Sequence, residues 1–95
     1  MAQKENNIIP MIFDEAFYRK MATQKWRQQD YKKAAEYYEK VLELSPKDFD
    51  IQQHYAQCLV KLNIGKKAER LFYENIVKDF HVAESYKELS KLKLD

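Results

Sequence analysis

QQDYKKAAEYYEKVLELSPKD, residues 28–48, decides the fold. A polar tripeptide opens it, an amphipathic run follows and Ser45-Pro46 closes it. Within the run, Ala34, Ala35, Tyr38, Val41 and Leu42 recur at three- and four-residue steps, which is one face of a helix. Asp30 stands just before, where a carboxylate can accept from the free amides of the first turn. The residue before a proline avoids the helical region, so the helix ends at Ser45-Pro46.

Upstream, Phe17, Tyr18, Met21, Ala22 and Trp26 keep the same spacing, with Asp14 as the expected cap. Sliding the chain against itself by 34 positions brings Lys32-Lys33-Ala34 onto Lys66-Lys67-Ala68. Ala22 falls on Ala56, Tyr38 on Phe72, Met21 on Tyr55 and Leu42 on Ile76. The matches lie in size and polarity, at the positions packing would demand. The second period is therefore expected to repeat the plan. Ile51, Tyr55, Ala56 and Leu59 line one helix, Asn63-Ile64-Gly65 make the turn, and Ala68, Leu71, Phe72, Ile76 and Phe80 line the next. A fifth helix follows, with Ala83, Tyr86, Leu89 and Leu92 facing inward.

Composition agrees with helices. One Gly and two Pro are too few for the turns a sheet needs. Charged residues are 34% and apolar ones 45%, the mixture of one folded domain with a modest core. The formal net charge of +2 is well short of the field of a dedicated nucleic-acid binder, and no nucleic-acid partner is expected. No apolar run approaches the length that crosses a bilayer, so no membrane partner is expected either. The single Cys58 excludes an intramolecular disulfide and suggests a reducing, cytoplasmic setting. The chain divides into a leader, residues 1–13, and a helical domain, 14–95. Residues 1–7 read as a loose polar stretch, and 8–13 as an apolar patch able to pack on the first helix or cover a groove.

The pattern resembles the tetratricopeptide repeat, whose signature is an aromatic, Leu and small residue in one helix, then Ala, aromatic and Pro around the next, every 34 residues. Residues 15–48 match through Tyr18, Met21, Ala22, Ala34, Tyr38 and Pro46, and residues 49–82 through Tyr55, Ala56, Leu59, Ala68 and Phe72. Residues 83–95 look like a capping helix. The resemblance implies an all-α, right-handed α-solenoid of about five helices in antiparallel pairs, with the first helix of each pair on a concave face. Small residues would sit where helices approach closely, and aromatics would fill the wedge between repeats. The chain departs from the pattern at Gln29, in place of a turn Gly, and at Lys25, Gln52, Asn75 and Phe80. An Asn at a packing position must find a hydrogen-bond partner or reach solvent. Phe80 in place of Pro suggests a longer or bent second helix.

Candidates for chemistry are few. His54 and Cys58 share a helical face, but a zinc site wants three or four ligands, so no metal is expected. No nucleophile elbow or phosphate loop exists, Glu36, Glu39 and Glu43 form a solvated face, and no enzyme activity or cofactor is expected. Lys32-Lys33 and Lys66-Lys67 read as a solubility-giving surface.

The concave face is more informative. The resemblance places ligand contacts at Ala16, Arg19, Thr23, Trp26 and Arg27, at Asp50, Gln53, Gln57, Val60 and Lys61, and at Glu84, Lys87 and Lys91. Glutamine amides can bond an extended peptide, cations can pair with its carboxylates, and Trp26 is an anchor of the hot-spot type. Family members that clamp the carboxylate tails of heat-shock chaperones need Lys, Asn, Asn, Lys and Arg where this chain has Arg19, Thr23, His54, Glu84 and Glu88. Two required cations have become acids, which disfavours that ligand. The expected role is an adaptor or scaffold that binds a protein or peptide segment of acidic character. Two alternatives stand beside it: a secretion-type chaperone, and a self-associating unit or fragment of a longer array whose open end exposes Leu89, Leu92 and Leu94.

Overall fold

The computed structural model describes residues 14–92, which form five helices joined by short turns. These are α1 (Glu15–Arg27), α2 (Tyr31–Leu44), α3 (Phe49–Lys61), α4 (Gly65–Val77) and α5 (Val82–Leu92). The leader and Leu94 lie outside the described residues. Each helix packs on the next in the chain, so the molecule is a stack of antiparallel neighbours. Among the described residues there is no strand, and no helix is long and apolar enough to cross a membrane.

Side chains begin three of the helices. Asp14 accepts from the Phe17 amide (3.0 Å), Asp30 from Lys33 (3.2 Å) and Asp48 from Ile51 (3.1 Å). Three of the helices end alike. Gln29, Asn63 and Asp79 take left-handed backbone, with φ of 63°, 64° and 66°. Each time the next amide reaches back five residues: Asp30 to the Lys25 carbonyl, Ile64 to Leu59 and Phe80 to Asn75. This is the Schellman closure, normally a glycine's place. Gln29 thus accepts a strained conformation where the repeat pattern has Gly.

The core is built of small residues and rings. Ala22, Ala34, Ala56 and Ala68 are wholly buried where helices approach, and Tyr38, Tyr55, Leu59 and Phe72 are buried between them. Tyr18 packs against this core from its margin, Met21 is half-buried, and Pro46 is exposed in the α2–α3 turn.

Three expectations need correction. First, α5 turns Ser85 and Leu89 inward, with Leu92 half-buried, while Ala83 and Tyr86 are exposed. The helix starts at Val82, and its buried stripe runs Val82, Ser85, Leu89, Leu92, one step off the expected set. Leu89 therefore does not form an exposed stack end. Second, α4 stops at Val77, and Phe80 stands in the turn, 40% exposed, its ring 5.2 Å from that of Phe49. Third, Gln53, expected to face a ligand, is only 1% exposed. The reason lies in its position: α3 is central, with α2 and α4 against its flanks and α5 over the face that would otherwise be free.

That burial creates a polar cluster inside the stack. Asn75 donates to the Gln53 side-chain oxygen (2.8 Å) and to the Phe49 carbonyl (3.1 Å), and accepts from Gln52 (2.9 Å). The Ser85 hydroxyl donates to Gln53 (3.0 Å), tying α5 to α3. Asn75 thus finds partners within the stack rather than reaching solvent. The amide nitrogen of Gln53 alone is buried without a partner among the described residues.

Candidate functional site

α1, α3 and α5 run the same way in the stack, and their C-terminal halves meet at a cleft of about 430 Å³. It is lined by Trp26 of α1, by Gln57, Val60 and Lys61 of α3, and by Glu88 and Lys91 of α5. Residues from three separated segments thus share one surface. Trp26 is half-buried, its ring edge-on to Tyr31 at 5.1 Å, so it belongs to the core margin and to the cleft wall at once. The Lys61 ammonium lies 5.8 Å from the Tyr31 ring centre, a cation–π position that restrains it at the cleft edge. Lys91 lies 3.8 Å from Glu88, the acid at a position where a chaperone-tail clamp needs a cation.

The other expected contact residues fall elsewhere. Arg19 sits at the opposite end of α1, paired with Glu15 (2.6 Å) and with Asp48. These bonds raise its already high pKa, the one to Asp48 most. Glu15 also accepts from the Ser45 hydroxyl at 2.5 Å. Ser45 and then Arg19 hold the Glu15 carboxyl below its ordinary range. Burial pushes Asp48 up, but Arg19 and the Ile51 amide outweigh it and hold Asp48 low. Arg19 therefore ties the start of α1 to the α2–α3 turn. Thr23 bonds back to the Arg19 carbonyl (3.0 Å), and Arg27 and Lys87 are exposed outside the cleft wall.

His81 forms a second joint that periodicity could not reveal. One ring nitrogen is 2.5 Å from Asp50 and the other 2.7 Å from Glu84, so the starts of α3 and α5 are bridged. Asp50 chiefly, then Glu84, raise its pKa against the opposing effect of burial. Glu84, where a chaperone-tail clamp needs a cation, is thus an anion held by His81.

His54 is exposed and stacks on Tyr38 with ring centres 6.0 Å apart. Cys58 is buried, which pushes its thiol up to about 12 and leaves it protonated and unreactive. No group of three His, Cys, Asp or Glu side chains among the described residues could hold a metal ion.

The tetratricopeptide repeat family model matches residues 25–73, which takes in most of α2, α3 and α4. The chain belongs to the tetratricopeptide repeat family. This family generally mediates protein–protein interaction, and the five-helix stack is a helical-repeat solenoid. No curated protein and no solved structure matches the chain.

Proposed function

We propose that the chain is an adaptor-type module that binds a protein or peptide segment of acidic character in the concave groove formed by α1, α3 and α5. The observation that supports this most is the convergence of Trp26, Val60, Lys61 and Lys91 at one cleft. Trp26 and Val60 offer an apolar seat, and Lys61 and Lys91 offer cations on its border. Gln57 supplies an amide for a peptide backbone. Arg19 and Gln53 are not part of this reading: the first is neutralised by two carboxylates, and the second is buried. The buried, protonated Cys58 fits a non-enzymatic module in a reducing compartment.

Trp26 is the one tryptophan of the chain, so its emission reports on the cleft directly. Peptides selected from a random library on the full chain should be rich in Asp and Glu around an apolar residue. Their titration should shift Trp26 emission, and Lys61→Glu with Lys91→Glu should abolish the shift. Selected peptides without acidic enrichment, or binding that leaves Trp26 emission unmoved, would overturn the reading. A second reading, assembly through the end of the stack, has support from Tyr73, Val77 and Tyr86, which α4 and α5 leave exposed. Light scattering that finds only monomer at high concentration would remove it.

A further inference from the structure

The fold sorts charge in a way the net value of +2 conceals. Lys25 and Arg27 close α1, and Lys32 and Lys33 open α2. One repeat on, Lys61 closes α3, and Lys66 and Lys67 open α4. Lys91 closes α5, and its neighbour Leu92 lies 3.4 Å from the site a Gly65 side chain would occupy, so α5 ends beside the start of α4. All these cations therefore gather on one edge of the stack. Three acids lie beside them: Asp30, which caps α2, Glu88, 3.8 Å from Lys91, and Glu69, which lines a cleft with Lys66. The opposite edge carries Asp14, Glu15, Asp48, Asp50 and Glu84, the first turns and caps of α1, α3 and α5.

The two edges are not treated alike. On the acidic edge the carboxylates are engaged, as caps or by Arg19 and His81. On the basic edge Lys32, Lys33, Lys66 and Lys67 are exposed and make no ion pair among the described residues. They also stand at the positive ends of the α2 and α4 dipoles, where a cation opposes the helix. α4 lacks even a side-chain cap to offset this. Lys67 has a contact of another kind, its ammonium 5.3 Å from the Tyr55 ring centre, but stability gives no reason for Lys32, Lys33 and Lys66 at these places. A helix of 13 residues spans about 20 Å, more than the roughly 8–10 Å over which salt screens charge. The acidic edge therefore does not cancel the field of the basic one.

We infer that this basic edge is a docking surface for an Asp- and Glu-rich protein segment, through four lysines that lie outside the cleft wall. The inference goes beyond the cleft reading and does not require it. Several features favour a carboxylate tract over nucleic acid or an anionic bilayer. The edge holds one Arg among its cations, and the Lys61 ammonium lies over the Tyr31 ring where a base would stack. The engaged but still anionic opposite edge limits attraction of any partner larger than a short tract.

The test uses the full chain and a fluorescein-labelled oligoglutamate as the probe. Wild type should bind it at low ionic strength, with affinity falling as salt rises. The variant Lys32→Gln, Lys33→Gln, Lys66→Gln, Lys67→Gln should bind about tenfold more weakly, the loss expected when four exposed charge contacts disappear. The same four sites changed to Arg should retain binding, and the probe, which lacks an apolar residue for the cleft, should leave Trp26 emission unmoved. Circular dichroism establishes that each variant is folded. No binding by wild type, or equal binding by the Gln variant, would overturn the inference. Tighter binding to polyuridylate or to phosphatidylserine vesicles than to oligoglutamate would overturn the assigned partner class. A shift of Trp26 emission on binding would show that the probe sits in the cleft instead, and would also overturn it.

Discussion

Asn75→Ala tests whether the polar cluster is a dry, integral part of the stack. Asn75 is wholly buried and joins α4 to α3 through three hydrogen bonds. Each is worth about 1 kcal/mol net, so their loss costs about 3 kcal/mol before any cavity contribution. Two of the groups left behind keep other partners. Gln52 retains Glu74 at 3.1 Å, and Gln53 retains Ser85 at 3.0 Å. The expected destabilisation is therefore about 3 kcal/mol, not the sum that stranded groups would add. A domain of this size has roughly 5–10 kcal/mol in all, and each 1 kcal/mol moves Tm by about 4–8 °C. Urea unfolding followed by circular dichroism should give a large fall in midpoint with an unchanged slope. The companion variant Gln53→Leu, Asn75→Leu, Ser85→Ala removes three members together, including the unpaired Gln53 nitrogen, and leaves Gln52 on Glu74. It should lie within about 1 kcal/mol of wild type, because burying polar groups and pairing them nearly cancel. A loss below about 1 kcal/mol in Asn75→Ala would refute the argument, since water would then be replacing the bonds.

Three further expectations follow from particular residues. Gln29→Gly relieves a left-handed glutamine (φ 63°) and should stabilise by about 0.5–1 kcal/mol, whereas Asn63→Gly should gain less because Asn tolerates that conformation; thermal melts compare the two. Leu89→Ala should cost about 2–5 kcal/mol because Leu89 is buried, and Tyr86→Ala less than about 0.5 kcal/mol because Tyr86 is exposed; the reverse order in chemical unfolding would mean α5 is rotated. His81 has a pKa raised above 6.5 in the folded state, first by Asp50. Its contribution is therefore full below about pH 6.5 and is lost as pH rises through the raised value. The size should stay under about 1 kcal/mol, as for exposed pairs. His81→Gln should flatten stability on this alkaline side. The acid side, where stability falls as Glu15 and Asp48 protonate through their lowered values, should persist in that variant.

What sequence could reveal depended on how many neighbours an element has. α2 touches helices on both sides, and its periodic alanines and Tyr38 were readable as one buried stripe. α3 has α2 and α4 on its flanks and α5 over its first half, so Gln52 and Gln53 are buried without belonging to any apolar stripe. A pattern based on one wet and one dry face places Gln53 in the groove, since glutamine looks wet. Asn75 did carry a signal, as a polar residue at a packing position, but its partners come from 22 and 23 residues away, beyond any local rule. For the cleft, the family resemblance implied Trp26, Gln57, Val60, Lys61 and Lys91, and these line it together. Glu88 was named only as an acid at a chaperone-clamp position, and Arg19 was expected to contact a ligand because its partner Asp48 is distant in sequence.

The lysine pairs at 32–33 and 66–67 read along the chain as ordinary solvated charge, because acids follow them within a turn or two. Folding separates what the sequence interleaves, since antiparallel helices send alternate blocks to opposite edges. The acids of α1 and α3 face favourable dipole ends, as do the cations that close those helices. The lysines that open α2 and α4 face unfavourable ones. If they serve only solubility, neutralising them should relieve the same dipole cost but leave recognition unchanged. If they serve docking, the stability they cost should reappear when they are removed. The four-site Gln variant should then gain about 0.3–1 kcal/mol at the α2 start, with the gain at the α4 start offset by the lost Lys67–Tyr55 contact, while its oligoglutamate affinity falls. Urea unfolding and the binding titration on the same protein decide between the two: a variant that loses stability and binding together would place these lysines in the fold, not in a surface held ready for a partner.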